Sequence, residues 1–479
     1  MPNDLPIIIQ GGMGVAVSGW RLANAVSSEG QLGVVSGTAL DAVLARRLQH
    51  GDPGGHMRRA LAAFPIPGVA DRIIDRYFVP EGTPEGVRLK TKPMHKMRQS
   101  RHVEELLVAS NFVEVFLAKE GHGNPVGINY LEKLQIPTIP SLYGAMLGDV
   151  DYVLMGAGIP RAIPGILDRL SVGLEAELRI DVKGATEDDD PYTRFDPAEF
   201  TDGTLPPVKR PAFLAIVSSH ILATMLAKKV EATVNGFVVE APTAGGHNAP
   251  PRGRGQLTED GEPLYGDRDE PDLEVIRQLG LPFWLAGSRA EPDQVADALA
   301  LGATGVQVGT AFAFCEESGF EGKIKRTVLE LSEAGQARVF TDPVASPTGF
   351  PFKVAQLEDT IAGEEAYQAR PRVCDLGYLR SAYRRDDDSI GWRCASEPVE
   401  DFLEKGGTIE ETVGRKCLCN ALMANVGLGQ VQTNGYVEPR LITSGDDIAT
   451  VARFLRPGEE TYRAADVLDY LLPGRVRSS

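Results

Sequence analysis

The 479-residue chain has no uninterrupted apolar run near the ~18 residues that a membrane-spanning helix needs. It lacks basic charge, with 49 Lys and Arg against 66 Asp and Glu and a net charge of −17. That balance excludes the broad basic face of a general nucleic-acid binder and a polybasic membrane clamp. Cysteine is sparse: Cys315, Cys374, Cys394, Cys417 and Cys419. An odd, low count in a long chain predicts reduced thiols and a cytoplasmic protein. The opening Met1-Pro2-Asn3-Asp4-Leu5-Pro6 has no basic stretch followed by an apolar one, so no signal peptide is expected. There is no Gly-x-Ser-x-Gly elbow and no Walker loop. Cys417-Leu418-Cys419 has a one-residue spacer and no flanking His, so no metal site is expected from spacing.

Glycine (52) and proline (33), by contrast, are plentiful and positioned. Short apolar runs alternate with helical patterns. The strand candidates are Pro6–Gln10, Leu32–Val35, Val126–Tyr130, Tyr152–Met155, Phe213–Val217, Gly236–Glu240, Pro282–Ala286 and Gly305–Val308. The helical patterns begin at Trp20, Ala39, Tyr143, Ala162, His220, Leu273, Pro292 and Gly322. Near-continuous apolar strands alternating with helices predict a parallel sheet covered on both faces. Eight units predict an α/β fold, a (β/α)8 TIM barrel with insertions and a C-terminal extension; an open doubly wound sheet is the alternative. The expected domains are a barrel over 1–335, an insertion over 51–124 that is a candidate lid, and a mainly helical extension over 336–479. Ala176–Val182 is read as part of an excursion. The acidic stretch Glu187 to Asp190 is read as a solvated loop.

In such barrels the working groups sit on the loops that follow the strands. Six of these loops are rich in small residues: Gln10-Gly11-Gly12-Met13-Gly14, Ser36-Gly37-Thr38, Gly156-Ala157-Gly158, Ala244-Gly245-Gly246-His247, Gly287-Ser288 and Gly309-Thr310. Glycine there lets backbone N–H groups approach a flat or anionic ligand. The last two loops lead into helices and are candidates for a phosphate site, with simple helix capping as the alternative. His247 is the candidate proton-transfer group, with a structural histidine as the alternative. His220 reads as structural, and nothing singles out His95, His102 or His122. Cys315 reads as packing.

The chain resembles the nitronate monooxygenases, FMN-dependent (β/α)8 enzymes. The pieces that carry the resemblance are Pro6-Ile7-Ile8-Ile9-Gln10-Gly11-Gly12-Met13-Gly14 with Ser18, Gly33-Val34-Val35-Ser36, Ala244-Gly245-Gly246-His247, Ala286-Gly287-Ser288 and Gly302-Ala303-Thr304-Gly305-Val306-Gln307-Val308-Gly309-Thr310. The resemblance implies a flavin on Gln10, Gly11, Gly12 and Met13, beside Gly245 and Gly246. It implies a phosphate between Gly287-Ser288 and Gly309-Thr310, with Gln307 nearby, and His247 as catalytic acid or base. The implied reaction is oxidation of an alkyl nitronate with O2 to a carbonyl compound. Two features depart from the short monooxygenases. The family's acidic residue before the Ala-Gly-Gly-His piece is Thr243 here. The tail, with Thr341 to Pro351 and Gly414-Arg415-Lys416-Cys417-Leu418-Cys419-Asn420, looks more like a larger subgroup containing synthase-associated flavin enoyl reductases. That subgroup implies a second function, reduction of an enoyl thioester with NAD(P)H. A non-redox phosphate-binding barrel or interaction module is the third reading. The expected partner is a small-molecule substrate, with no nucleic acid and no membrane; a homo-oligomer or a synthase is the candidate assembly.

Overall fold

The computed structural model describes residues 5–475 except 187, 188, 190, 231 and 254. Most of the acidic stretch Glu187 to Asp190 and the first four residues therefore lie outside the described residues. Eight parallel strands form one sheet: β1 (Ile8–Gln10), β2 (Gly33–Ser36), β3 (Val126–Leu131), β4 (Tyr152–Gly156), β5 (Ala212–Val217), β6 (Gly236–Glu240), β7 (Phe283–Ala286) and β8 (Gly305–Val308). The order runs β1-β8-β7-β6-β5-β4-β3-β2. A parallel bridge between Ile9 and Leu32 joins the two ends. The amide of Gln10 donates to Leu32 O and that of Leu32 to Ile8 O, so the sheet closes into a (β/α)8 barrel. Closure leaves no edge strand with unmatched backbone groups.

Strand periodicity sorts the buried residues into two layers. Ile9, Val34, Leu154, Leu214, Val238 and Trp284 point inward and pack together inside the barrel. Ile8, Val35, Val153, Phe213, Phe237 and Val306 point outward into the layer beneath the helices. Full burial of each such side chain contributes about 1.5–3 kcal/mol. Trp284 also donates from its indole N–H to Pro6 O at 2.8 Å, a partner for a buried polar atom inside the barrel.

All eight strand expectations fall on barrel strands within a residue or two at each end. Two helices exceed their expected lengths. The helix near Tyr143 begins at Thr138, because Pro140 sits in its first turn, where a missing N–H costs nothing. Within the 51–124 insertion the sequence shows a helical pattern over His102–Ala109, and the helix there runs Arg101–Ala118. Buried Ser110, Asn111 and Glu114 interrupt its apolar pattern, yet each has a partner, Leu107 O for the first two and Arg47 for the third.

The segment Ala176–Arg179 pairs antiparallel with Tyr192–Phe195, outside the barrel. The region after residue 336 includes a hairpin, β9 (Val339–Asp342) and β10 (Phe352–Ala355). It also holds a second hairpin, Ser381–Arg384 with Ile390–Arg393, and several short helices. Its 3₁₀ segment Asp446–Phe454 packs on the helix Gly322–Glu333. No described helix is long and apolar enough to cross a membrane.

Candidate active site

The inward strand parity continues to the C-terminal rim. It places Asn129 on β3, Gly156 on β4, Ile216 on β5, Glu240 on β6 and Gln307 on β8 around one cavity of about 220 Å³. Gln10 has the opposite parity. It is fully buried beside the cavity and holds the wall: its Nε2 donates to Ser18 Oγ at 2.9 Å, and its Oε1 accepts from Val34 N at 3.0 Å. Gly11, Gly12 and Met13 line the floor. A Cβ on Gly12 would lie 2.4 Å from Asn129 Cβ, so only glycine fits there. The hydroxyl of Ser18 accepts from Met13 N and donates to Gly11 O, both at 2.9 Å, which fixes the loop's curve.

Across the cavity stand Gly287, Ser288, Gly309 and Thr310. Gly287 has φ +94°, and a Cβ there would lie 2.7 Å from Thr243 Oγ1. Thr310 Oγ1 already accepts from Gly445 N at 3.0 Å, so a region far along the chain shares this corner. Arg289 also lines the cavity, and its buried Nε has no hydrogen-bond partner. Asp447 also lines this corner. Burial raises its carboxyl above the usual range despite a hydrogen bond from Ser288, which moves it toward the neutral form.

The loop after β6 carries Gly245, Gly246 and His247 into the cavity. Chain from beyond the barrel clamps it. Gly246 N donates to Thr443 Oγ1 at 2.9 Å, Lys353 N to Gly246 O at 3.0 Å, and Asn248 N to Pro351 O at 2.9 Å. His247 Nε2 lies 2.7 Å from the Oγ of Ser346, which is fully buried in the β9–β10 loop. Ser346 Oγ in turn lies 2.8 Å from Thr348 Oγ1 and accepts from Thr348 N at 3.2 Å. The Phe352 ring meets the imidazole edge-on with centroids 4.8 Å apart. Burial alone pushes His247 down to about 4, so the ring is neutral at physiological pH. Burial alone pushes Glu240, which faces the same cavity, up to about 7. The environment thus holds two titratable groups at displaced values in one mouth, the pattern expected of acid–base chemistry.

The other histidines stand apart. His95 contacts Asp41 at 2.9 Å, His102 the Tyr77 hydroxyl at 2.9 Å, His122 the carbonyl of Ala118 and His220 the amide of Asp272. Cys315 is buried and donates to Phe312 O. No described residue of 51–124 lines the cavity. Sequence reasoning missed Glu240, Arg289 and Ser346. Glu240 had a readable signal: it ends an apolar strand with the inward parity of Val238. Arg289 directly follows Gly287-Ser288. Nothing local marks Ser346.

The cavity can accept a flat, phosphorylated ligand. Asn129 Oδ1 and Gln307 Oε1 are buried acceptors without partners, both on side chains lining its wall. They suit a ring edge that donates hydrogen bonds. The glycine floor leaves room that a Cβ would fill.

Residues 200–345 match the nitronate monooxygenase family. That stretch spans β5 to β8, His247 and both loops at the Arg289 corner. No curated protein is matched. Similar solved structures include FabK from Thermotoga maritima, at 15% identity and TM-score 0.47 over 98% of this chain and 91% of that one. Nitroalkane oxidase from Streptomyces ansochromogenes has 15% identity and TM-score 0.47 over 97% and 94%. The enoyl reductase domain of MlnA from the macrolactin biosynthesis cluster of Bacillus amyloliquefaciens has 11% identity and TM-score 0.45 over 98% and 95%. Over residues 200–345 the chain is thus similar to the nitronate monooxygenase family, which supports reading it as a flavin-dependent oxidoreductase.

Proposed function

We propose that the protein binds FMN at the barrel mouth and oxidises an alkyl nitronate with O2 to a carbonyl compound. Bound FMN supplies the electron-accepting ring of this chemistry. Gly11, Gly12 and Met13 form the floor for that ring, with Gly245 and Gly246 beside it. Asn129 and Gln307 offer it their unpartnered acceptors. Gly287, Ser288, Gly309 and Thr310 surround the phosphate, and the Arg289 guanidinium supplies positive charge for a dianion. Gln10 acts through the wall it holds.

The observation that carries the reading is the neutral His247 held by Ser346. A neutral imidazole can take a proton, as deprotonation of a nitroalkane at its α-carbon requires. With Ser346 directing its own proton to Thr348 Oγ1, His247 Nε2–H donates to Ser346 and Nδ1 becomes the basic atom. Once protonated, the ring holds the nitronate anion as an ion pair.

Glu240 favours a second reading. A carboxyl near 7 is half protonated at neutral pH and can donate a proton, as reduction of an enoyl thioester by NAD(P)H through the same flavin requires. Anaerobic mixing separates the two. The nitronate reading expects a nitronate to bleach the yellow protein and air to restore the colour. Bleaching by NADPH alone, reversed by an enoyl thioester, would establish the reductase instead. A colourless protein that takes up no FMN would overturn both, leaving a non-redox phosphate-binding barrel.

A further inference from the structure

The Glu240 carboxyl has neither a hydrogen-bonding nor an ionic partner; burial is the only influence on it. Yet Glu240 belongs to more than the barrel mouth. A second cavity of about 30 Å³ is lined by Glu240 together with Ser218, Asn248, Arg252, Tyr265 and Asp269. Ser218 directly follows β5 and Glu240 ends β6, and these two strands are paired neighbours. The small cavity therefore lies between two adjacent strand-end loops. Among the described residues, Glu240 is the one that lines both cavities.

The walls of the small cavity suit water. Asn248 is 2% exposed, and its Oδ1 is a buried acceptor without a partner. The amide cannot turn to relieve it, because Nδ2 donates to Ala244 O at 3.0 Å. The Tyr265 hydroxyl donates to Ala249 O at 3.0 Å, which leaves its oxygen to accept. Arg252 is exposed, so the cavity reaches the surface there, and its backbone N–H donates to Asp269 Oδ1 at 2.7 Å. A buried acceptor left without a donor is costly. Water carries two donors, and about 10–15 Å³ suffices for one molecule, so two fit.

We propose that the cavity beside Asn248 is a water-filled proton passage, through which Glu240 exchanges protons with bulk solvent while FMN and substrate fill the barrel mouth. Inward, one water gives a proton to the Glu240 carboxylate and takes one from the next water, which regains its own from solvent. Only O–H bonds break and form, no electrons move, and one net proton reaches Glu240. The reverse sequence exports a proton. Asn248 is a positioning residue here: its Oδ1 holds the inner water. The passage rests on the reading that FMN and substrate occupy the mouth. Of the two reactions considered there, enoyl reduction draws on it directly, since each turnover takes one proton from Glu240.

High-resolution crystals of the full-length, flavin-loaded protein test the passage without turnover. Ordered waters joining the Glu240 carboxyl to Asn248 Oδ1 are expected; a dry cavity, or waters that do not reach Glu240, would overturn the proposal. Infrared difference spectra read the exchange itself, in buffer more acidic than about pH 7, where much of Glu240 is protonated. The carboxyl band lost in Glu240→Gln marks this residue, and on mixing with D2O it should shift within the mixing time. Ser218→Leu fills the cavity and should abolish the fast shift, while Ser218→Ala keeps it. Should Ser218→Leu fail to fold, the wild-type protein decides: exchange should stay fast when FMN and an unreactive substrate analogue occupy the mouth. Exchange that slows on filling the mouth, or stays fast in Ser218→Leu, would show that protons enter through the mouth. Absence of nitronate or enoyl turnover would strike the reaction proposed for the mouth and leave both readouts standing.

Discussion

Two glycine-rich loops face each other across the barrel mouth, and they are held in opposite ways. The loop after β1 is fixed from within: Ser18 and Gln10, a few residues either side, bind its backbone. The loop after β6 is fixed from outside, by Thr443, Pro351, Lys353 and Ser346. A self-supported loop keeps its shape wherever the strand places it. An externally clamped loop depends on chain about a hundred to two hundred residues away. The proposed proton-transfer group, His247, therefore rests on the C-terminal region, while the proposed ring floor, Gly11 to Met13, belongs to the barrel alone.

The difference can be broken most sharply at His247. His247→Ala should leave FMN bound and lower turnover by about 10²–10⁴-fold. An unchanged rate would remove the imidazole from the chemistry. With His247 as base, kcat/KM for a neutral nitroalkane should fall only as pH drops toward about 4 and stay level above it. A loss centred near 7 as pH rises would identify protonated Glu240 as the working acid. Next comes the Arg289 corner. Gly309→Leu should release flavin, since its Cβ direction leads toward Met13 at 3.6 Å and a longer side chain fills the cradle. Retained yellow colour on a desalting column would count against a phosphate at that corner.

Ser346→Ala removes the outside support without touching the ring. It should lower kcat about tenfold, leave KM and bound flavin close to wild type, and be largely rescued by Ser346→Thr. Equal losses in serine and threonine variants would show that packing matters there rather than the hydroxyl. Ser18→Ala should have the smallest effect. It should cost about 1 kcal/mol of stability in thermal unfolding and weaken flavin retention. Turnover of the flavin-loaded enzyme should barely change. A large drop in kcat would mean that the two loops are not separable.

The eight strands were legible because each is buried on both faces and reads as an apolar run. The long helix Arg101–Ala118 was only half legible, since buried Asn111 and Glu114 break its apolar pattern and are matched by Tyr130 and Arg47, outside the helix. Glycine loops at strand ends pointed to the mouth. All the expected site residues line the cavity except Gln10, whose parity turns it outward. The parity of Glu240 was readable from Val238, though a lone carboxylate at a strand end does not announce its burial. Ser346 was invisible, because its contact with His247 spans a separation of 99 residues.

The sequence by itself determined the alternation of strand and helix, the glycine rim and His247's place on it. Those follow from local patterns of two and 3.6 residues and from which residues tolerate tight turns. Tertiary structure alone decided what stands around that rim. Burial sets the protonation of His247 and Glu240, and the β9–β10 loop supplies Ser346. Chain packing also brings Cys374 and Cys394 beside the Cys417–Cys419 segment around one cavity. Desolvation and long-range contact belong to the packed molecule, and no local run of residues encodes them.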